Sequence, residues 1–437
     1  MYIDIRWRRN RYGVIYTLLL LLFIFYIDVI CSTHDGKQQQ QQQQQQHQYD
    51  SHSDGSYGER LKLKYRDEDD GLEFKVVQFT DLHYGENDGD DIANNNLQNT
   101  ILTLESPVDL VVFSGDMISG EHLNFQHDIS AYNNAWSLMT EPLIKRNIPW
   151  AIILGSQDAH GLLNAHELLD FDQKYNQSLT KHGPRDISGD SNYVLEIYAN
   201  DTTESPLSLI YLFDSDTKGC GNREWGCIHK DQIDWYKNIS DTYSKNNSNS
   251  STTALAFVHV PPSEALQLWN HNQVYGVLED NNGCCCFETD HTAETGKDKN
   301  KQQGLVDSMI ERGDVKGLYF GGDHQNDFHG DFNGIDLGYG RKSGFASYNP
   351  NKLHGARVIL LQQQPQQQRV EIKTWIRDIS GARDNQTEHR PNLLDHQFTG
   401  CCKKGGDPYR ALKITPIVLI FTLVLLFIIF WQNKKPR

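Results

Sequence analysis

The stretch Val76-Val-Gln-Phe-Thr-Asp-Leu-His-Tyr-Gly85 decides how the rest of the chain is read. Val76 to Phe79 are mostly apolar with β-branched members, and the run stops at Asp81, one spacer and His83. Such a run predicts a buried strand. Its C-terminal edge then presents an Asp and a His together, and in open α/β sheets that edge is where ligands bind. Alternation puts residues i and i+2 on one face of an extended chain. Both side chains are therefore expected to reach a single metal ion.

Downstream, more apolar runs end in the same way. They are Val111-Val-Phe-Ser-Gly-Asp116, Ile152-Ile-Leu-Gly-Ser-Gln-Asp158, Phe257-Val-His259 and Tyr319-Phe-Gly-Gly-Asp-His324. A lone Gly-Asp is common and carries little. Successive strands that each deliver Asp or His at their ends are hard to explain as packing, because buried charged groups are paired or ligate metal. Further β-rich runs lie at Tyr193–Ile197, Leu207–Phe213, Arg357–Leu361 and Val370–Trp375. Helical candidates at Ile92–Leu104, Asn133–Lys145, Lys230–Tyr236 and Gly304–Arg312 fall between some of them. This alternation predicts an α/β sandwich with its sheets inside, over residues 72–379.

The ends read differently. Arg6, Arg8, Arg9 and Arg11 precede an apolar run from Val14 to Ile27, so residues 1–31 are expected to be a signal peptide or signal anchor. Residues 32–71 hold the polyglutamine run Gln38–Gln46 and a polar tract, a composition expected of a disordered linker. After a juxtamembrane linker over 380–413, Ile414–Trp431 is apolar and long enough to cross a thin bilayer. The basic tail over 432–437 is then expected in the cytosol.

Charge at both ends places the folded region in a lumen or outside the cell, in a single-pass or two-pass topology with the bilayer as a partner. Acceptor triplets for N-linked glycans at Asn176, Asn200, Asn238, Asn246, Asn249 and Asn385 agree. In an oxidising compartment Cys220 and Cys227 are placed to pair across a short loop. Cys284-Cys-Cys286 and Cys401-Cys402 lack zinc-like spacing and point to further disulfides of unread connectivity. Lys434-Lys-Pro-Arg437 resembles the dilysine retrieval signal of the endoplasmic reticulum, and a plain stop-transfer flank reads the same way. A net charge of −16 argues against nucleic acid, which needs a basic footprint.

The order of motifs resembles the calcineurin-like metallophosphoesterases: Asp-x-His, Gly-Asp, Gly-Asn-His-Asp/Glu, a lone His, and Gly-His-x-His. It is most similar to the branch of plant "probable inactive" purple acid phosphatases and related fungal phosphatases. Asn147-Ile-Pro-Trp150, Phe257-Val-His-Val-Pro-Pro262, Gly313-Asp-Val-Lys-Gly317 and Asn326-Asp-Phe328 carry that likeness. The resemblance spans roughly Phe74 to Ile379 and implies a four-layer αββα sandwich. Carried over by motif, Asp81, His83 and His324 would hold one metal. Asp116 would bridge to a second, held also by His259, and both residues would be catalytic. Such paired ions grip a phosphate and activate water for in-line attack. Carboxylate and imidazole ligands suit Fe, Zn or Mn, in divalent or trivalent form.

The sequence departs from that pattern in two motifs. Gly155-Ser-Gln-Asp158 stands where Gly-Asn-His-Asp is expected, and Gly321-Gly-Asp-His324 where Gly-His-Asp-His is expected. Ser156 thus replaces an amide ligand, Gln157 the catalytic histidine, and Gly322 an imidazole ligand. Asp158, His160 and Asp323 are the nearby groups able to substitute. The resemblance leaves three functions open: a phosphoesterase with one tight and one weakened metal site, a pseudophosphatase binding a phosphorylated ligand or partner, or a structural membrane ectodomain.

Overall fold

The computed structural model describes residues 61–65, 71–215, 226–246, 252–278, 304–347, 353–363, 370–384 and 386–391. The apolar runs Val14–Ile27 and Ile414–Trp431, the polyglutamine tract, the dilysine tail, Cys220, Cys284–Cys286 and Cys401–Cys402 lie outside them. Among the described residues no helix is long and apolar enough to cross a membrane. Cys227 is disulfide-bonded, to a partner outside the described residues.

The strands in chain order are β1 (Leu61–Lys62), β2 (Lys64–Tyr65), β3 (Leu72–Phe79), β4 (Leu110–Ser114), β5 (Trp150–Ile153), β6 (Tyr193–Tyr198), β7 (Ser208–Phe213) and β8 (Thr253–Val258). They continue with β9 (Val274–Tyr275), β10 (Val315–Phe320), β11 (His329–Phe332), β12 (Ile335–Tyr339), β13 (Gly355–Gln363), β14 (Val370–Asp378), β15 (Arg383–Asp384) and β16 (Glu388–His389). The helices are α1 (Asp88–Leu104), α2 (Leu123–His127), α3 (Ile129–Ile144), α4 (Ala165–Asp172), α5 (Lys230–Asn246), α6 (Glu264–His271) and α7 (Leu305–Arg312).

Two mixed sheets result. One runs β15-β14-β13-β3-β4-β5, with β2 on β3; the other runs β1-β6-β7-β8-β10-β12-β11-β9-β16. In the first, β3, β4 and β5 are parallel and run to one edge, with Val77 opposite Val111 and Val111 opposite Trp150. At the heart of the second, β7, β8 and β10 are parallel, with Leu212 opposite Phe257 and Phe257 opposite Tyr319. Parallel strands need both faces covered, which is why these runs are apolar nearly throughout.

Alternation along each strand sorts its side chains between two cores. Phe74, Val76, Leu110, Val112, Ala151 and Ile153 face Leu195, Ile210, Leu212, Leu255, Phe257 and Tyr319 across the space between the sheets. Val77, Phe79, Val111, Phe113 and Ile152 face the other way, onto Leu97 and Ile101 of α1, Trp136 and Met139 of α3 and Leu168 of α4. On the far side Tyr211, Phe213, Ala256 and Phe320 pack on Ile233 and Tyr236 of α5, Leu268 of α6 and Met309 of α7. Helices lie outside and sheets inside, as the strand and helix alternation predicts.

Local signals account for the helix starts. Asn87 caps α1 by accepting from the Asp90 N–H at 3.0 Å, and Asp88, Asp90 and Asp91 fill its first turn. A reciprocal Asn164–Glu167 capping box starts α4. Polar ties cross the apolar interior as well. The fully buried Arg357 of β13 donates to the carbonyls of Tyr339 (2.7 Å) and Asp327 (2.9 Å), which belong to the other sheet and its loop. Gln78 Nε2 donates to Ser114 Oγ at 2.8 Å and to the Phe320 carbonyl at 3.3 Å, spanning the same gap.

Candidate metal centre

The centre forms where the carboxyl ends of β3, β4 and β5 meet those of β8 and β10. β3 stops at Phe79, so Asp81 and His83 lie beyond the strand. Both take left-handed backbone conformations, with φ of 54° and 52°, and Asp116 has φ 50°. The extended i, i+2 relation expected from the sequence is therefore replaced by two tight backbone turns. Such conformations persist only where the surroundings enforce them. Here the N–H groups of Asp81, His83 and Tyr84 donate to the carbonyls of Gly115 (3.1 Å), Asp116 (3.0 Å) and Met117 (2.9 Å). The two loops zip together as the parallel strands end.

Glycine makes this approach feasible. A Cβ on Gly115 would lie 2.3 Å from His259 Nδ1, so no side chain fits between β4 and β8 at that level.

Asp81, His83, Asp116, His259 and His324 are all buried. One ligand atom from each of Asp81, His83 and His324 can be chosen so that all lie within 4.8 Å, and the same holds for Asp81, Asp116 and His259. His83 Nε2 is 3.1 Å from His324 Nε2, His324 Nε2 is 3.5 Å from Asp81 Oδ1, and His259 Nε2 is 3.4 Å from Asp116 Oδ2. Tetrahedral bonds of about 2.1 Å place neighbouring ligand atoms about 3.4 Å apart. The donor set and its spacing fit a transition metal.

Outer contacts aim the rings. His259 Nδ1 lies 2.8 Å from the Ser114 carbonyl, which holds the proton there and turns Nε2 toward Asp116. His83 Nδ1 lies 3.0 Å from Ser119 Oγ, which in turn donates to Glu86 at 2.7 Å. Thr80 Oγ1 donates to Asp81 Oδ2 at 2.8 Å.

The electrostatics ask for positive charge. Burial disfavours the Asp81 carboxylate, yet the hydrogen bond and charge of His324, with His259 and Lys342 behind them, hold it well below the usual carboxylate range. Burial also opposes ionisation of Asp116, and His259 outweighs it. Burial pushes His83 well below its ordinary value, so that ring is neutral, as a ligand must be. Burial pushes His259 down too, but the Asp116 carboxylate overrides it and raises the ring to about 10. A proton on His259 answers the same carboxylate that a cation would.

The altered positions lie at the centre as well. Ser156 Oγ sits 3.2 Å from Asp116 Oδ2, and the Gln157 backbone N–H donates to Asp116 Oδ1 at 2.7 Å whatever its side chain. Gly322, with φ 79°, donates its N–H to Asp81 Oδ2 at 3.2 Å. The three groups able to substitute are engaged elsewhere. Asp158 accepts the N–H groups of Asp116 (2.9 Å), Gly155 (2.8 Å) and Ile118 (3.0 Å). Burial first, and the Asp116 charge next, push it up to about 7. Asp323 accepts from Asn326 Nδ2 at 2.8 Å, and His160 Nδ1 faces Glu121 at 3.3 Å.

Sequence reasoning missed Lys342. It is fully buried, its Nζ donates to the Asp81 carbonyl at 3.1 Å, and burial lowers it to about 8. Its one signal is a charged pair, Arg341-Lys342, directly after an apolar strand and inside a Gly340-to-Gly344 turn.

A family model described as calcineurin-like phosphoesterase matches residues 74–326. "Probable inactive purple acid phosphatase 28" of Arabidopsis thaliana is 28% identical over 332 residues, covering 68% of this chain and 77% of that protein. "Phosphatase DCR2" of Saccharomyces cerevisiae is 29% identical over 221 residues, covering 46% of this chain and 37% of that one. Among solved structures, a dimetal phosphatase from Danio rerio aligns over 69% of this chain and 98% of its own, with 14% identity and a TM-score of 0.44. The family match covers more than half of the chain and includes every strand end that supplies the centre, so the chain belongs to the calcineurin-like phosphoesterases.

Proposed function

We propose that the protein is a metal-dependent phosphoesterase with one well-formed metal site and one weakened site. The observation that carries this reading is the buried group Asp81, His83, Asp116 and His324, whose spacing and charge suit a cation. Asp116 and His259 are left to serve the second position, where Ser156 and Gly322 supply no imidazole or amide. A bound metal would supply Lewis acidity toward a phosphate ester. The chain's own residues orient it: Lys342 fixes the Asp81 turn, Ser114 fixes the His259 ring, and Asp158 fixes the loops carrying Asp116 and Ser156. Iron, zinc and manganese all fit the donors.

Gln157 supports a second reading, a pseudophosphatase that keeps a phosphorylated ligand without turning it over. An amide has no proton to give a leaving group, and general acid catalysis is worth roughly 10²–10⁴-fold. Location belongs to the proposal as well. The basic flanks, apolar runs and glycan triplets support a membrane-anchored protein with this domain in the lumen, and the dilysine tail supports retention in the endoplasmic reticulum.

The test is metal content and hydrolysis of a generic phosphate ester by the purified protein, beside Asp81→Ala. About one transition metal per chain with slow turnover is expected, both lost in Asp81→Ala. Metal without turnover selects the pseudophosphatase. Absence of metal from the wild type defeats both.

A further inference from the structure

A second group of metal-type side chains stands apart from the Asp81 centre and shares no residue with it. On α4, His166 and Asp170 are one turn apart and so project from one face. The segment after α4 brings in His182, whose Nε2 lies 2.8 Å from Asp170 Oδ1. Asp190, from the loop before β6, places Oδ1 3.6 Å from His166 Nδ1. The two imidazoles lie face to face, 4.0 Å between centroids and tilted by 33°. One ligand atom from each of His166, Asp170 and His182 can be chosen with all of them within 4.8 Å. The group opens on a pocket of about 230 Å³ that Arg185 also lines.

Hydrogen bonding alone accounts poorly for this arrangement. His182 Nδ1 is buried and has no hydrogen-bond partner among the described residues, so the fold satisfies neither tautomer of that ring fully. Separations of 2.8 and 3.6 Å between partners bracket the roughly 3.4 Å edge of a tetrahedral site. Imidazole with carboxylate is a donor set for zinc and its neighbours, not for calcium or magnesium.

We propose that His166, Asp170 and His182, with Asp190, bind a divalent transition cation of the zinc type. The bound ion pins α4 to the segments leading into β6. It lies on the surface just after the turn that carries Asp158, and it is structural.

The experiment uses the untagged full chain, stripped with chelator and dialysed against micromolar Zn²⁺. Zinc per chain is counted in the wild type, His166→Gln and Asp170→Asn. His166 and Asp170 side chains are 44% and 57% exposed, so both variants are expected to fold. Each variant should hold one zinc fewer than the wild type and lose the part of the zinc-induced rise in Tm that belongs to this site. Equal zinc in all three proteins overturns the proposal. The outcome is separable from that at the Asp81 centre, because Asp81→Ala keeps His166, Asp170 and His182 and should still hold the ion that His166→Gln loses.

Discussion

At the scale of single residues, Asp81, His83 and His324 group on one side of the centre and Asp116 and His259 on the other, beside Ser156, Gln157 and Gly322. A Cβ on Gly322 would meet the His259 carbonyl at 3.4 Å and His259 Nε2 at 3.6 Å, so a first side-chain atom there makes only ordinary contacts. Its φ of 79° lies further into left-handed space than the 54° and 52° of Asp81 and His83, so a side chain there carries backbone strain. Ser156 and Gln157 flank Asp116 directly. Ser156→Asn, Gln157→His and Gly322→His made together should therefore raise metal stoichiometry toward two and speed hydrolysis by about 10²-fold or more. Metal analysis and steady-state rates on the triple variant check this. Asp158 could not have been recognised from sequence as already engaged. Its three N–H partners come from two separate loops, and only the folded backbone shows that they converge on it.

At the scale of elements, the strand ends were legible because burial on both faces forces nearly continuous apolar runs, and polar residues at their ends stand out against them. β3, β4, β5, β8 and β10 all fall where those runs predict. The short α4 and α6 were not foreseen, because eight residues span barely two turns and show little periodicity. The turns at Asp81 and His83 were missed for a different reason. Both residues lie beyond the end of β3, so strand alternation does not place them, and inter-loop hydrogen bonds decide where they point. The ties between sheets were equally hidden. Arg357 sits in an apolar strand and donates to backbone carbonyls of the facing sheet, and a carbonyl has no sequence signature. Arg357→Met keeps the volume and strands those acceptors, so it should destabilise the protein by about 2–4 kcal/mol. Urea denaturation of the two proteins measures that difference.

At the scale of the whole molecule, two predictions concern stability and placement. His354 is buried against Phe345, and burial first, then the charges of Lys342, His324 and Arg341, lower it to about 4. An unfolded histidine near 6.5 binds its proton first on acidification, so this ring contributes stability above that pH and loses it as pH falls toward 4. His354→Phe should flatten the wild-type loss between pH 6.5 and 5 by about 1 kcal/mol, allowing for partial exposure. Thermal melts across pH compare the two. Placement is tested in sealed microsomes: residues 72–379 should resist added protease and shift on a gel after glycan removal. Cleavage in intact vesicles would overturn the lumenal assignment. The centre also bears on the molecule as a whole, since Asp81 and Asp116 leave one sheet while His259 and His324 leave the other. An ion held among them would be a rivet through two plates, its grip a gauge of how tightly they are pressed together. Whatever pried the plates apart would let the rivet go, and whatever drew the rivet would free the plates to slide.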